Sequence, residues 1–408
     1  MPDTLKKTLF NIACPACGFH AAVPFYDGGA QPLATLAWPQ SSAEARAMER
    51  LPLAFKRCVD CGHVFNSEFE YSRIPYSDKP NLMFNRGGIW AEHLRLVRDR
   101  VLERLPENPT VLEIGCGDGH LLQALAEARP GGRYVGFDPN AYIAAGYDQV
   151  EARHVLFDPA VHLAEYRPHM LISRHVMEHL ENPLGFLQPL AFAASWYGIE
   201  CHLLLEVPCI DRVFESGRTT DFFYEHNSHF TEKSFTRMLE RTGAAIDTVE
   251  LGYDGEVVYG FARIGGKTGQ AALAREASAF HAHAQEARAN VRATLQTLFD
   301  AGVRVAVWGG TGKSAAFINQ FGLDAERFPL VVDSDPAKVG TFVPGAGQEI
   351  RFRDELAAHP VHTIVITTQW RARDIVQEIQ RHGIPYGQIL LEHGGHLMDY
   401  FSGAHPYK

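Results

Sequence analysis

One stretch of the sequence, PTVLEIGCGDGHLLQALAEARPGGRYVGFDPN, constrains the fold more than any other. Its apolar residues 110–114 predict a strand that runs into a glycine loop, and the leucines that follow predict a helix with one buried face. A second predicted strand ends at Asp138. Strand, loop, helix and strand make a β-α-β unit, which places a nucleoside site at the carboxyl edge of a parallel sheet.

The residues around the glycine loop indicate which nucleoside binds there. Gly115, Gly117 and Gly119 do not have the G-x-G-x-x-G spacing of a dinucleotide loop. Glu113 precedes the glycines, and Asp138 ends the next strand, where a carboxylate can hold ribose hydroxyls. A carboxylate at the loop disfavours a pyrophosphate and suits a ligand with an ammonium and a sulfonium. The pattern therefore favours S-adenosylmethionine over NAD.

Later segments extend the predicted sheet. HVLFDPAV predicts a short strand followed by Asp158, in the usual place for a contact to adenine. HMLISRHVMEHLENP predicts a fourth strand that ends near Ser173, which we assign to the cofactor site. CHLLLEVP predicts a fifth strand that ends at Glu206, and DTVELGYDGEVVYGFARI predicts a hairpin that turns at Asp254 and Gly255. Seven strands with a terminal hairpin indicate a class I methyltransferase Rossmann-like fold.

Two cysteine pairs predict a metal site. Cys14 with Cys17, and Cys58 with Cys61, form C-x-x-C motifs that are each followed by glycine, a spacing that brings two thiolates to one tetrahedral metal. A closed four-sulfur zinc site is structural, because it leaves no position open for water. The alternative is two unconnected redox dithiols. We expect His63 to be a surface residue rather than a further ligand.

Composition limits the class of protein. With 408 residues the chain can form two or three domains, and its net charge of -10 argues against nucleic acid as a partner. No apolar run reaches the roughly 18 residues of a membrane span, and the first residues lack the apolar core of a signal peptide. We therefore expect a cytoplasmic protein.

The carboxyl-terminal part predicts a second open α/β sheet. VRVAVWGGTGKSAAFINQFG again predicts a strand, a glycine loop and a helix. Val307 stands where a phosphate-binding loop would have its first glycine, so the motif fails and ATP hydrolysis is not expected. The loop amides and Lys313 can meet a substrate diphosphate, and an ordinary strand-to-helix turn is the alternative.

Taken in order, several segments resemble the zinc-containing sugar C-methyltransferase family. They are the four cysteines, LEIGCGDG, SRHVMEH, FYEHNSHF and VVDSDPAKVGTFVPG. The resemblance covers nearly the whole chain and implies methylation of a carbon beside the keto group of a nucleotide-linked deoxysugar. With it, composition predicts a zinc module (1–75), a methyltransferase domain (76–265), and a helical connector with a Rossmann-like substrate domain (266–408). GGTGKSAAF departs from the family pattern, which leaves the substrate role of Lys313 open.

The resemblance also implies the catalytic residues. Tyr224, Glu225 and His226 match a YEH run from which the family draws its base. We expect a neutral His226 to take the carbon-bound proton, Glu225 to orient it or hold substrate, and Tyr224 to donate to the enolate oxygen. His175, after the fourth strand, is the second candidate base, and Tyr76 is expected to cover the site.

Other interpretations stay open at this point. His226 can instead satisfy a helix end among core phenylalanines, and His229 stands where relatives often have an aromatic residue. Glu178 and His179 are not included among the predicted catalytic residues, because acids and histidines on helices are usually solvated or structural. For the whole chain, the alternatives are an O- or C-methyltransferase of a non-sugar keto or enol compound and a noncatalytic zinc scaffold. The sequence does not indicate the oligomeric state.

Overall fold

The computed structural model describes residues 9–36, 38–75, 87–143, 148–266 and 269–408. Within them the chain forms a first compact unit that ends at Ala271 and a second that begins at Ala272. Tyr76, the expected cover of the site, lies outside the described residues. No helix in the described ranges is both long and apolar enough to cross a membrane.

The first unit alternates strands and helices. In chain order its elements are β1 (Ala22–Gln31), α1 (Ser42–Ala47), β2 (Leu51–Cys58), β3 (Val64–Asn66), α2 (Gly88–Leu102), β4 (Thr110–Ile114), α3 (His120–Ala128), β5 (Arg133–Phe137), β6 (Val150–Arg153), α4 (Pro159–Tyr166), β7 (Met170–Arg174), α5 (Pro183–Trp196), β8 (Glu200–Pro208), α6 (Asp211–Ser216), β9 (Ser228–His229), α7 (Glu232–Arg241), β10 (Ala245–Gly252) and β11 (Val257–Gly265). Short 3-10 turns lie at Tyr71–Arg73, Met177–His179 and Tyr253–Gly255.

The main sheet has seven strands in the order β10-β11-β8-β7-β4-β5-β6. The strands from β6 to β8 are parallel, and β11 and β10 close the sheet as an antiparallel hairpin. Helices cover both faces of such a sheet, which explains why β4 and β7 are almost wholly buried. The predicted β-α-β unit, the seven strands and the terminal hairpin are confirmed, and with them the expected fold class.

The third strand differs from the prediction. The sequence predicted a strand within HVLF, whereas β6 is the preceding segment VEAR, at the edge of the sheet and only half-buried. An edge strand has one exposed side and needs no apolar run, so the search for hydrophobic residues selected the wrong four positions. Leu156 and Phe157 consequently belong to the loop after β6, at the carboxyl edge of the sheet.

A second, smaller sheet joins the amino-terminal region to the predicted catalytic loop. We call residues 9–36 and 38–75 the N-terminal module; its strands β1, β2 and β3 form an antiparallel sheet whose fourth strand is β9. Val64 pairs with His229 and Phe65 pairs with Ser228. The segment between β8 and α7 was predicted as one loop, but it contains α6 and β9. Helix α7 itself begins at the predicted Thr231 cap, whose side chain accepts from Ser234 N.

The second unit is an open α/β sheet, as predicted. Its elements are α8 (Gly269–Asp300), which starts before the unit boundary, β12 (Val305–Trp308), α9 (Lys313–Phe321), β13 (Leu330–Asp333), β14 (Ile350–Phe352), α10 (Glu355–Ala358), β15 (Thr363–Ile366), α11 (Ala372–Arg381), β16 (Gln388–His393) and β17 (His396–Asp399). The strand order is β14-β13-β12-β15-β16-β17, parallel except for β17. The long helix α8 matches the predicted helical segment 269–300.

Candidate active site

A cavity of about 320 Å³ lies at the carboxyl ends of β4, β5 and β7 in the first unit. The glycine loop, the turns after these strands and the loop after β6 form its wall, and the N-terminal module closes one side through Tyr71 and Ile74. A crevice outside the carboxyl ends of parallel strands is where an open α/β sheet binds its ligand. The cavity therefore lies where the sequence predicts the cofactor.

The glycine loop requires glycine for a steric reason. Gly115 has φ +75°, and a Cβ atom there would lie 2.3 Å from Cγ2 of Val176. The backbone N–H of Gly117 donates to Oδ2 of Asp138 at 3.2 Å, and Asn140 N donates to Oδ1 at 2.8 Å. Two backbone bonds thus fix the Asp138 carboxylate against the loop, and its remaining lone pairs are available for ribose hydroxyls.

Glu113 and Ser173 are buried near the carboxyl ends of β4 and β7, where the cavity lies. Oε2 of Glu113 and Oγ of Ser173 have no hydrogen-bond partner among the described residues. Burial raises the pKa of Glu113 to about 7, although the nearby Arg174 opposes the shift. A buried carboxylate with an unsatisfied oxygen fits a ligand that brings a cationic ammonium group.

Asp158 is placed differently from these cofactor candidates. Its carboxylate caps α4 by accepting from Ala160 N at 2.8 Å. The cavity wall at this point is formed by Leu156 and Phe157. Apolar side chains here suit the faces of an adenine ring, and neither residue was predicted from the sequence to contact the cofactor.

A network around Glu206 supports the floor of the site. Glu206 is fully buried on β8, and its carboxylate accepts from Arg174 Nε at 3.0 Å and lies 2.7 Å from His93 Nε2. Burial alone would raise the pKa of Glu206, but Arg174 and the histidines hold it well below its usual range. The buried acid is therefore an anion that anchors several donors.

One of these donors is His175, the second candidate base. Its backbone has φ +54°, a conformation that residues other than glycine seldom adopt. Its Nε2 lies 3.1 Å from Glu206, and its Nδ1 lies 3.5 Å from Glu178. Burial lowers the pKa of His175, but the two carboxylates outweigh it and raise the pKa to about 9. Both ring nitrogens face acids and hold protons at neutral pH, which does not suit a base.

His226 meets two residues that the sequence analysis left out. A carboxylate oxygen of Glu178, a ring nitrogen of His179 and a ring nitrogen of His226 all lie within 4.8 Å of one another. The ring centroids of His179 and His226 are 4.8 Å apart. His179 lines the cavity, and its Nδ1 is 2.8 Å from the backbone oxygen of Glu225. Burial lowers the pKa of His226 well below the usual histidine value, and the neighbouring histidines lower it further. His226 is thus a neutral imidazole beside the cavity wall.

The other two members of the YEH run point away from the cavity. The hydroxyl of Tyr224 accepts from Glu70 N at 2.9 Å, and the carboxylate of Glu225 accepts from Thr35 N at 2.7 Å. Both partners belong to the N-terminal module. His229 is buried between Phe55 and Phe222, with ring centroids 5.2 and 4.8 Å away, so it packs as an aromatic residue would.

The four paired cysteines converge as their spacing predicts. All four are buried, and the Sγ atoms of Cys14 and Cys61, and of Cys17 and Cys58, are 3.7 Å apart. Zn–S bonds of about 2.3 Å in a tetrahedron place the sulfurs about 3.8 Å apart, so the cluster is compatible with a zinc module. The expectation that His63 lies at the surface is wrong, because this side chain is fully buried and its ring centroid lies 4.6 Å from that of Phe230, in a tilted arrangement.

The predicted substrate residue of the second unit lies at its own glycine loop. Nζ of Lys313 is 3.8 Å from the ring centroid of Trp370. A cavity of about 220 Å³ adjoins both side chains, together with Asp333 and Lys338, whose ion pair is 3.1 Å long. Cations at a glycine loop suit an anionic ligand such as a diphosphate.

Two family models match the chain over its catalytic and carboxyl-terminal parts. A model described as a methyltransferase domain matches residues 89–249. A second, described as a C-methyltransferase C-terminal domain, matches residues 270–390. No curated protein matches the chain.

Solved structures resemble part of the chain. A SAM dependent methyltransferase from Aquifex aeolicus is 18% identical, and the match covers 48% of this chain and 99% of that one with a TM-score of 0.33. Magnesium protoporphyrin IX methyltransferase from Synechocystis PCC 6803, solved with bound SAH, is 18% identical over 44% of this chain and 89% of its own, with a TM-score of 0.32.

Proposed function

We propose that this S-adenosylmethionine-dependent C-methyltransferase acts on a carbon beside the keto group of a nucleotide-linked deoxysugar. The enzyme class follows from the methyltransferase domain and the C-methyltransferase C-terminal domain. The observation that carries the proposal is the neutral imidazole of His226, next to His179 on the wall of a cavity that Asp138 also lines. Methylation of a carbon beside a keto group needs such a base, because a proton must leave that carbon before it can attack the methyl group.

The residues at the cavity fit S-adenosylmethionine. Asp138 would hold the ribose hydroxyls, Glu113 the ammonium group, and the apolar pair Leu156 and Phe157 the adenine. When bound, the cofactor supplies an electrophilic methyl group on a sulfonium. The same residues disfavour a pyrophosphate, because two carboxylates adjoin the loop.

His226 is the proposed base, and His179 is its neighbour on the cavity wall. A neutral imidazole accepts the proton of a carbon acid, and the electron pair left behind spreads onto the keto oxygen as an enolate. His175 is less suited, because carboxylates occupy both of its ring nitrogens. As an imidazolium, it instead adds a positive charge to the cavity wall.

The test is solvent deuterium exchange at the acceptor carbon, measured without methyl donor on a panel of nucleotide 4-ketosugars. His226→Ala should keep cofactor affinity and lose both exchange and methyl transfer by roughly 100-fold or more, the usual contribution of a general base. Exchange needs the base but not the cofactor, so it separates loss of the base from loss of the methyl donor.

His175→Ala and His179→Gln are the matched controls. If exchange persists in His226→Ala and disappears in one of these variants, the base is that histidine instead. A panel of ketosugars that shows neither exchange nor methyl transfer, beside a keto or enol compound that is methylated, would favour the non-sugar alternative.

We further propose that Cys14, Cys17, Cys58 and Cys61 bind one structural zinc ion. Their burial and sulfur spacing support it, because a closed set of four thiolates leaves no position for water. Metal analysis of the purified protein should give about one zinc per chain, and Cys58→Ser should lower it. Zinc content unchanged in Cys58→Ser would contradict the assignment.

The glycine loop of the second unit is the proposed site for the diphosphate of the acceptor. Lys313 and Lys338 adjoin the cavity, and Trp370 offers a ring face for a base or sugar. Methyl donor and acceptor would thus be held by separate glycine loops.

A further inference from the structure

We propose that Glu225 and Tyr224 are positioning residues, through which the N-terminal module holds His226 at the cavity. The inference rests on the proposed role of His226 as the base. It assigns to two side chains of the YEH run a task other than proton transfer, and it gives the cysteine-containing module a part in catalysis. Four sets of contacts carry it.

The first set is a clamp around the Glu225 carboxylate. Its Oε1 accepts from Thr35 N at 2.7 Å, from Leu36 N at 3.1 Å and from Thr35 Oγ1 at 3.3 Å. Glu225 has no solvent exposure and does not line the cavity. A carboxylate that gathers two backbone amides acts as a fixed acceptor for a turn of the N-terminal module.

The second set involves Tyr224, which is 1% exposed. Its hydroxyl accepts from Glu70 N at 2.9 Å and donates to the backbone oxygen of Glu68 at 3.4 Å. Its ring lies 5.3 Å from that of Phe69. Tyr224 is therefore attached to the module by both its polar end and its apolar body.

The third set lies on the other side of His226. Asn66 N donates to the backbone oxygen of Asn227 at 2.9 Å, and β3 then pairs with β9. The N-terminal module thus binds the chain immediately before and immediately after His226. The flank before this histidine is held through the side chains of Tyr224 and Glu225, and the flank after it by backbone hydrogen bonds, so neither can move without breaking hydrogen bonds to the module.

The fourth set ties the same segment to the cavity wall. The side-chain amide of Asn227 donates to the backbone oxygen of Leu180 at 2.6 Å, and Nδ1 of His179 lies 2.8 Å from the backbone oxygen of Glu225. Both partners follow β7, at the edge where the cavity opens. The segment that carries His226 is consequently held between the module and the methyltransferase sheet, and a fixed position is what a base needs for proton transfer.

Comparison of Glu225→Ala with Glu225→Gln in the full chain tests the role of Glu225. Alanine removes the clamp, and kcat should fall by about 100-fold, as when a catalytic group is misplaced by about 1 Å. Glutamine should restore most of the rate, because its amide oxygen can accept from the same two backbone N–H groups. An acid or base cannot be replaced in this way, so equal loss in both variants would overturn the proposal.

Three further readouts separate positioning from general damage. Amide hydrogen exchange across residues 222–231 should speed up in Glu225→Ala and Tyr224→Phe, while the dissociation constant for S-adenosylmethionine stays the same. The pH profile of kcat should keep its shape in Glu225→Gln, because the base is unchanged. Glu215→Ala, an exposed acid on α6, is the matched control and should alter none of these quantities.

Amide hydrogen exchange is measured on the protein alone, without a methyl acceptor. It therefore tests the Glu225 clamp even if the proposed substrate or base is wrong. Unchanged exchange protection in both Glu225→Ala and Tyr224→Phe would contradict the positioning role. Should Glu225→Ala fail to fold, Tyr224→Phe and Thr35→Val give a milder test, since each removes one hydroxyl contact between loop and module and leaves the backbone bonds to Glu225 in place. Normal amide hydrogen exchange and a normal kcat in both of these variants would contradict the positioning role.

Discussion

The two glycine loops of this chain share a topology and differ in charge. Each follows a buried parallel strand, β4 or β12, and leads into a helix at the carboxyl edge of its sheet. The first has Glu113 beneath it and Asp138 bonded to its backbone. The second has Lys313 at the start of its helix, against Trp370, and its acid Asp333 is already paired with Lys338.

This difference shows which part of a glycine loop selects its ligand. Glycine lets the backbone approach, and the helix start favours negative charge in both loops. The carboxylates of the first loop oppose that preference and favour a cationic cofactor, whereas the lysines of the second reinforce it. Charge at the edge of the sheet, rather than the glycine spacing, therefore separates the two proposed ligands.

The largest expected effect comes from replacing the acid of each loop by alanine and comparing the two variants. Asp138→Ala should weaken S-adenosylmethionine binding by about 1.5 to 3 kcal/mol, or roughly 10- to 150-fold, because a charged hydrogen-bond partner is lost. Asp333→Ala, at the matching position of the second loop, should leave cofactor affinity unchanged. Calorimetric titration measures both. Equal effects would show that the cofactor does not distinguish the loops as proposed.

A smaller effect should follow the ionisation of Glu113. Its pKa is about 7 in the free protein, and a bound ammonium favours the carboxylate, so affinity should increase as the pH rises through 7. Between pH 7.5 and pH 6, S-adenosylmethionine binding should weaken by up to about eightfold, the limit for one group with this pKa. Glu113→Gln should lose this part of the pH dependence. The pH dependence of binding that remains in Glu113→Gln includes the titration of the ligand's own amino group, so subtracting it isolates the contribution of Glu113.

The smallest effect is expected at the second loop. Lys313 is exposed, so solvent screens its charge, and Lys313→Gln should raise the KM for a diphosphate-linked acceptor by about fivefold. The difference from the native enzyme should shrink as salt is added, while cofactor affinity remains constant. A change in cofactor affinity in Lys313→Gln would contradict the proposed assignment of cofactor and acceptor to separate loops. An acceptor KM that changes with neither this substitution nor salt would contradict it as well.

The sequence predicts the parts of this molecule that depend on local pattern. Apolar runs and helical periodicity predict β4, α3 and α7, and the C-x-x-C spacing predicts a cysteine cluster, because these features are set by neighbouring residues. The edge strand β6 was misplaced, since an exposed edge carries no apolar run. His179 was left out because a helix was assumed, whereas a 3-10 turn brings it to the cavity wall.

Other features depend on residues that are distant in sequence. Glu225 looks like an acid of an active-site loop, and its partners Thr35 and Leu36 have no motif that reveals them. The hydroxyl of Tyr224 is likewise directed by Glu68 and Glu70 rather than by its neighbours. The sequence shows which side-chain groups the YEH run contains, whereas the tertiary structure is needed to show which residues each of them contacts.

The pairing of β9 with β3 has a consequence for how the chain folds. Val64 in β3 pairs with His229 in β9, so the amino-terminal sheet acquires its fourth strand only after the ribosome has released most of the first unit. Contacts of such long sequence separation slow folding, and until β9 arrives β3 presents an open strand edge. The same edge would be exposed permanently on β9 if residues 1–75 were deleted. We therefore expect the truncated chain to aggregate more readily than the full chain, through the unpaired edge of β9.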